Sequence, residues 1–165
     1  KGPELLTSCV SEFAKLLNLD PEKQNLDLYS GAGLFSATLS AQFDGAKFLA
    51  VESSKQAIAD GERSSHDLDN LRFHQADVLK FLRSQTAGTF DTIILDPPRS
   101  GAANKVVEQL IRLSPRNMIY VACDPVALAR DLKTLGDAGY KVKAMRAFDI
   151  FPHTHHFETV VALAR

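Results

Sequence analysis

The sequence predicts an open α/β sheet of seven strands, mostly parallel, with an antiparallel hairpin at one edge. Three observations carry this expectation. Short apolar runs alternate with amphipathic stretches along the chain, which is the pattern of strand–helix–strand units in a parallel sheet. The last two apolar runs, Lys141–Phe148 and Glu158–Ala164, have no helical stretch between them, so they read as antiparallel neighbours. Glycine, acidic residues and a thiol follow the other strands at Tyr29 to Gly33, Glu52, Asp77, Asp96 and Cys123. In such a sheet the carboxyl ends of the strands form the ligand-binding rim.

Taken in order, Leu5, Leu6, Cys9, Val10, Phe13, Leu16 and Leu17 recur at helical spacing, so the chain opens on an amphipathic helix with Cys9 in its buried face. NLDLY, Asn25–Tyr29, is a buried strand, followed by a glycine turn and a helix from about Leu34. Lys47–Val51 is the second strand, ending on Glu52, with a helix from about Lys55. Leu71–Gln75 is the third, and Val78–Arg83 turns helical after Asp77. FDTIIL, Phe90–Leu95, is the fourth strand, punctuated by Asp96-Pro97-Pro98. A helix over Lys105–Leu113 leads into the fifth, Asn117–Ala122. Pro125 suits the first position of the next helix, which runs to about Asp137 before Gly139 breaks it.

With 165 residues, 45% hydrophobic and 24% charged, the chain has the composition of one well-packed domain spanning 1–165. It begins Lys1-Gly2-Pro3 and reads as a C-terminal fragment of a longer protein. No apolar run approaches about 18 residues, so no membrane span is predicted. Cys9 and Cys123 sit in different settings and make no disulfide framework, which points to a reducing, cytoplasmic environment. The net charge of −1 carries no basic excess. A nucleic-acid partner would need a local patch or a further domain to supply the electrostatic grip.

LDLYSGAGLFS, residues 26–36, is strand, glycine turn and helix. Gly31 and Gly33 permit close backbone approach, and the helix N-terminus behind them favours electronegative groups. A nicotinamide fingerprint wants a third glycine where this chain has Ser36. Glu52 ends strand two, where a carboxylate takes ribose hydroxyls, and Asp77 ends strand three, where it can meet an adenine amino group. For either acid alone the plain alternative is a helix cap. Their combined spacing predicts an adenosyl cofactor. With no P-loop for a triphosphate, S-adenosylmethionine fits best.

Two further stretches bear chemistry. Asp96-Pro97-Pro98-Arg99 places a carboxylate on a loop stiffened by two prolines. Amino-methylating enzymes often carry an aromatic residue where this chain has Arg99, which argues against an exocyclic amine as acceptor. FPHTHHFETV, 151–160, crowds His153, His155, His156 and Glu158 as a metal site would. In an extended segment His155 and His156 point to opposite faces, and no distant ligand completes a shell, so no metal is expected.

In this order and spacing, LDLYSGAGLFS, VESS, DPPR, YVACDPVALARDL and FPHTHHFETV resemble the RNA 5-methyluridine methyltransferase family. The resemblance implies a class I S-adenosylmethionine-dependent, Rossmann-like fold acting on a flipped or single-stranded uridine in tRNA or rRNA. It makes Cys123 the nucleophile and Glu158 a base, and puts cofactor contacts on Tyr29, Glu52 and Asp96. It also implies an RNA-binding domain ahead of this unit. The chain departs from the family's usual Ser-Cys-Asn-Pro with Ala122-Cys123-Asp124-Pro125, and has Leu34 where many members have Asn. The competing readings are a cofactor-binding domain without independent catalysis and a small-molecule or protein methyltransferase on the same fold. Near-neutral charge favours those; the Cys123–Glu158 pair favours RNA.

The roles follow from chemistry. Uracil carbon 5 is a poor nucleophile until a thiolate adds at carbon 6, and the adduct then needs its carbon 5 proton removed. A helix N-terminus helps Cys123 ionise, whereas Asp124 beside it both caps the helix and opposes the charge. Asp96 suits uracil, whose N3–H can donate to a carboxylate, over cytosine.

Overall fold

The computed structural model describes residues 2–150 and 157–165. Helix α1 (Gly2–Leu16) precedes β1 (Gln24–Leu28), α2 (Leu34–Gln42), β2 (Lys47–Glu52), α3 (Lys55–Ser64), β3 (Leu71–Gln75), α4 (Val78–Arg83), β4 (Phe90–Leu95), α5 (Asn104–Leu113), β5 (Asn117–Ala122), α6 (Pro125–Asp137), β6 (Lys141–Phe148) and β7 (Glu158–Ala164). The strands form one sheet in the order β3-β2-β1-β4-β5-β7-β6. Strands β1 to β5 run parallel, and β7 lies antiparallel between β5 and β6. The predicted seven-stranded, mostly parallel sheet with an antiparallel edge is the one observed.

Helices cover both faces. Phe13 of α1 and Leu39 of α2 pack with Phe48, Ile94, Ile119 and Val160 on one side. Phe81, Leu110 and Leu128, from α4, α5 and α6, pack with Leu28, Ile93, Leu95 and Tyr120 on the other. Double coverage explains why FDTIIL and NMIYVA are near-continuous apolar runs, buried at every position. Each fully buried large side chain contributes about 1.5–3 kcal/mol. Cys9, on the inner face of α1, is 1% exposed and belongs to this core.

Three features of the topology make the site. The chain runs outward from β1 through β2 to β3, then returns to lay β4 on the other side of β1, so a crevice opens between the carboxyl ends of β1 and β4. Tyr29 and Asp96 are the residues that follow those two strands, and the Asp96 amide donates to the Leu28 carbonyl at 3.3 Å. Because β7 runs antiparallel to β5 and β6, its first residue stands at the rim where those strands end. Some boundaries shift by a residue: β1 starts at Gln24 and α5 at Asn104, and β1 stops at Leu28 because Tyr29 has φ +58° and turns out of the strand.

Candidate active site

The rim is assembled from five loops. After β1, Gly31 (φ +54°) and Gly33 (φ +80°) turn the chain into α2. A Cβ on Gly31 would meet nothing within 4 Å, so this glycine borders open space that a ligand can fill. Gly33 serves a different purpose: a Cβ there would stand 2.7 Å from the Phe73 ring, so its bare backbone lets the turn close against β3. The Gly31 amide donates to Glu52 Oε2 at 3.0 Å, and the Ser54 amide and Ser53 hydroxyl donate to Oε1 at 2.8 and 3.1 Å. Partial burial opposes ionisation of Glu52, but these bonds outweigh it and hold the carboxyl below its ordinary range. An ionised, acceptor-only group at the end of β2 fits the two hydroxyls of a ribose.

Asp77 realises the plain alternative as well: it caps α4, with Oδ1 accepting from the Lys80 amide at 2.9 Å. The cap uses one oxygen of an exposed carboxylate at the same rim. The half-buried Tyr29 has its phenol pushed up to about 12 by burial and by the charges of Asp77 and Asp131. Its left-handed backbone is uncommon for an aromatic residue, and strain of this kind gathers where ligands bind.

The thiol and two more carboxyls lie across the crevice. β5 and β7 are registered Ala122 against Thr159, so Cys123 and Glu158 are one step further along the same pairing. Cys123 is half-buried, and its thiol is pushed above the ordinary value by burial and by the charges of Glu158 and Asp96, with Arg99 pulling the other way. The expected help from the helix N-terminus is therefore outweighed in this site. Asp124 is not the cause: its carboxylate accepts from the Ala127 amide at 2.8 Å and caps α6, with Pro125 in the first turn. Burial also raises Glu158. Asp96 reaches the surface yet is crowded, and desolvation with the charges of Glu158 and Asp27 lifts it to about 7.

Two features of the site escape sequence reading. Asp27, in the middle of β1, is fully buried; its Oδ2 accepts from the Ser36 amide at 3.1 Å, while Oδ1 is buried with no partner. Burial pushes it up to about 6 against the hydrogen bonds of Ser36, with the Glu52 charge adding to the rise. The available signal was an acid between two leucines in a strand that both faces bury. Beneath the 96–102 loop, the Tyr120 hydroxyl donates to Asp131 at 2.6 Å, both side chains being buried. His153, His155 and His156 lie outside the described residues, and of that cluster only Glu158 is described.

The family model for tRNA (uracil-5-)-methyltransferases matches residues 10–165. An RNA methyltransferase of Streptomyces avermitilis, itself uncharacterized, is 47% identical over 139 residues, or 84% of this chain and 32% of the relative. Another from Thermotoga maritima is 44% identical over 142 residues, again 32% of its length. The chain thus spans about a third of the curated relatives it matches. Among solved structures, the Pyrococcus abyssi tRNA (uracil-54, C5)-methyltransferase in complex with S-adenosyl-L-homocysteine superposes with a TM-score of 0.75 at 34% identity. That match covers 92% of this chain and 37% of the other.

Proposed function

The chain belongs to the tRNA (uracil-5-)-methyltransferase family, and we propose that it is the S-adenosylmethionine-dependent unit that methylates carbon 5 of a uridine in RNA. The observation that supports this reading is that the β5–β7 register ends on Ala122 opposite Thr159, so that the next residues are Cys123 and Glu158, and the Glu158 charge acts on the Cys123 thiol. A protein that only bound the cofactor would have no use for that pair.

In this reading Glu52 receives the ribose hydroxyls, the open side of Gly31 admits the ligand, Gly33 shapes the turn beneath it, and Tyr29, Asp77 and Asp96 complete the pocket. When bound, S-adenosylmethionine supplies the electrophilic methyl carbon that uracil carbon 5 takes up. Before that, Cys123 gives its proton to solvent and the thiolate adds to carbon 6, breaking the 5,6 double bond and moving its electron pair toward carbon 5 and the carbon 4 oxygen. In its ionised form, which it gains as pH rises through about 7, Asp96 accepts from N3–H, a bond that cytosine's bare N3 cannot make. Afterwards Glu158 takes the carbon 5 proton, the 5,6 double bond re-forms, and the Cys123 thiolate leaves. The raised position of Glu158 suits a group that must accept a proton near neutral pH. The uridine must leave its stack to reach this crevice.

Glu158→Gln should stall after methyl transfer, accumulating a protein–RNA adduct whose mass already includes the added methyl. Cys123→Ala should form no adduct. A substrate with fluorine at carbon 5 should trap the unmodified enzyme in the same way, because no proton can leave. A denaturing gel followed by intact mass reads all three. Should Cys123→Ala still make 5-methyluridine, the thiol is core packing and this mechanism is wrong.

A further inference from the structure

The segment from Asp96 to Ala102 carries two groups that act on Cys123, yet little of it is regular structure. At its start the Asp96 amide bonds the Leu28 carbonyl; at its end the contacts converge on one buried carboxylate. The Ala102 amide donates to Asp131 Oδ2 at 2.9 Å and lies 3.2 Å from the Tyr120 hydroxyl oxygen, which itself donates to that same Oδ2 at 2.6 Å. The Arg130 guanidinium holds Asp131 Oδ1 through Nε and Nη2 at 3.0 and 2.9 Å, and its Nη2 also reaches the Ser100 carbonyl at 2.8 Å. Gly101, at φ +82°, passes so close that a Cβ would stand 2.5 Å from Arg130 Nη2 and 2.7 Å from Asp131 Oδ2. Two of these loop residues are thus bonded to one side-chain pair, and the glycine between them packs against it.

Asp131 is 1% exposed, and a carboxylate withdrawn from water this far persists only when its partners compensate it. Both of its oxygens are compensated, by Arg130, by Tyr120 and by a loop amide. Ala103, the next residue, is held at φ +25°, an unfavourable backbone that persists where the surroundings over-determine it. The anchors come from the same unit as the nucleophile. Tyr120 lies three residues before Cys123 on β5, and Asp131 lies on the helix that begins immediately after it.

We infer that Asp131 is a positioning residue, clamping the Asp96–Ala102 loop through Tyr120 and Arg130 so that Asp96 and Arg99 keep a fixed place relative to Cys123. The inference rests on the proposed uridine methylation. It extends that proposal to a group that touches neither substrate nor cofactor. A displacement of about 1 Å in such a loop is enough to cost on the order of 100-fold in rate.

The test uses Asp131→Asn and Tyr120→Phe in the full-length native polypeptide that contains this chain. The amide introduced by Asp131→Asn keeps an acceptor for the Ala102 N–H but turns a donor toward Arg130, so the loop loosens without emptying the core. The kcat for 5-methyluridine formation should fall about 10- to 100-fold in Asp131→Asn and less in Tyr120→Phe. KM for RNA and affinity for S-adenosylhomocysteine should change far less than kcat, within about threefold, because no hydrogen bond of the clamp reaches Gly31 or Glu52 and Asp131 acts on the cofactor half through its charge on Tyr29. Amide hydrogen exchange at Gly101 and Ala102 should accelerate in both variants. A purely structural role would lower the melting temperature and leave kcat unchanged, and that result overturns the inference. Unchanged exchange overturns it too. If Asp131→Asn does not fold, Tyr120→Phe decides by the same two readouts. An unmodified enzyme that makes neither adduct nor product fails instead at the methylation reading, and the inference falls with it.

Discussion

Asp27 has one oxygen on the Ser36 amide and the other, Oδ1, buried without a partner, so ionising it puts charge where water does not reach. Its position at about 6, against an ordinary 3.8, makes it a pH-dependent load on stability. In the unfolded chain the group ionises near 4, whereas in the folded chain it holds its proton to about 6. The contribution of Asp27 is therefore most favourable below pH 4, declines as pH rises from about 4 to 6, and levels off above. A difference of this size between the folded and unfolded chain corresponds to about 2–3 kcal/mol. Asp27→Asn removes the titration while adding constant terms of its own. The stability gap between variant and wild type should thus move by about 2–3 kcal/mol in the variant's favour from pH 4 to pH 8. Urea unfolding at several pH values reads it, and a gap independent of pH would mean that Asp27 titrates normally. Nothing local announces such a group. An acid between leucines reads equally as the solvent side of a half-buried strand, and only the helices packed on both faces decide otherwise.

The β1–α2 turn separates two glycines that look alike in sequence. Gly31 borders open space, while Gly33 leaves room for the Phe73 ring, and Gly61 of α3 closes on the same ring at 2.4 Å from where its Cβ would be. Gly33→Ala combines a left-handed backbone with an overlap against a packed ring, so it should cost about 2–4 kcal/mol of stability. Gly31→Ala keeps only the backbone penalty of about 1–2 kcal/mol but puts a methyl group where the ligand would lie. Thermal melting should therefore rank Gly33→Ala as the less stable variant. Calorimetry with S-adenosylhomocysteine should rank Gly31→Ala as the weaker binder among folded variants, and the reverse ranking would exchange the two roles. Element order and boundaries were legible in the sequence because apolar periodicity and proline and glycine punctuation are local signals. The β5–β7 register was not, since it depends on a strand inserting antiparallel between two others. Nor was the clamp: Tyr120 sits in an apolar run and Asp131 among helix polar residues, and they meet only once α6 folds back over β5. The same limit explains why the sequence leaves the balance at Cys123 open between its helix and Asp124. Burial, the largest cause of the rise, and the opposing charges of Glu158 and Asp96 depend on segments distant in sequence.

Charge is distributed over the whole molecule in a way that bears on its proposed RNA substrate. The net charge is −1, from 19 basic and 20 acidic side chains. At the rim, Glu52, Asp77, Asp96 and Glu158 gather carboxyls around the crevice, and Arg99 is the cation that acts on Cys123. This arrangement suits a neutral base and a cationic sulfonium cofactor, but it repels the phosphates on either side of the base. The crevice can therefore receive uracil while contributing little to holding the RNA. This chain matches only 32% of the length of its curated relatives, which leaves ample sequence in which phosphate contacts could reside. The 165-residue chain alone should bind a short single-stranded RNA weakly, in the range of about 10⁻⁴–10⁻⁶ M typical of non-specific contacts. Because each neutralised phosphate on a single strand contributes about 0.7 to the slope of log affinity against log salt, that slope should be shallow. A longer polypeptide carrying the chain should show both tighter binding and a steeper slope. Filter binding between about 50 and 200 mM salt, run on both, separates the cases, since several added phosphate contacts change affinity by orders of magnitude over that interval. Tight, salt-insensitive binding by the 165 residues alone would show that recognition resides in the crevice and not in charge outside it.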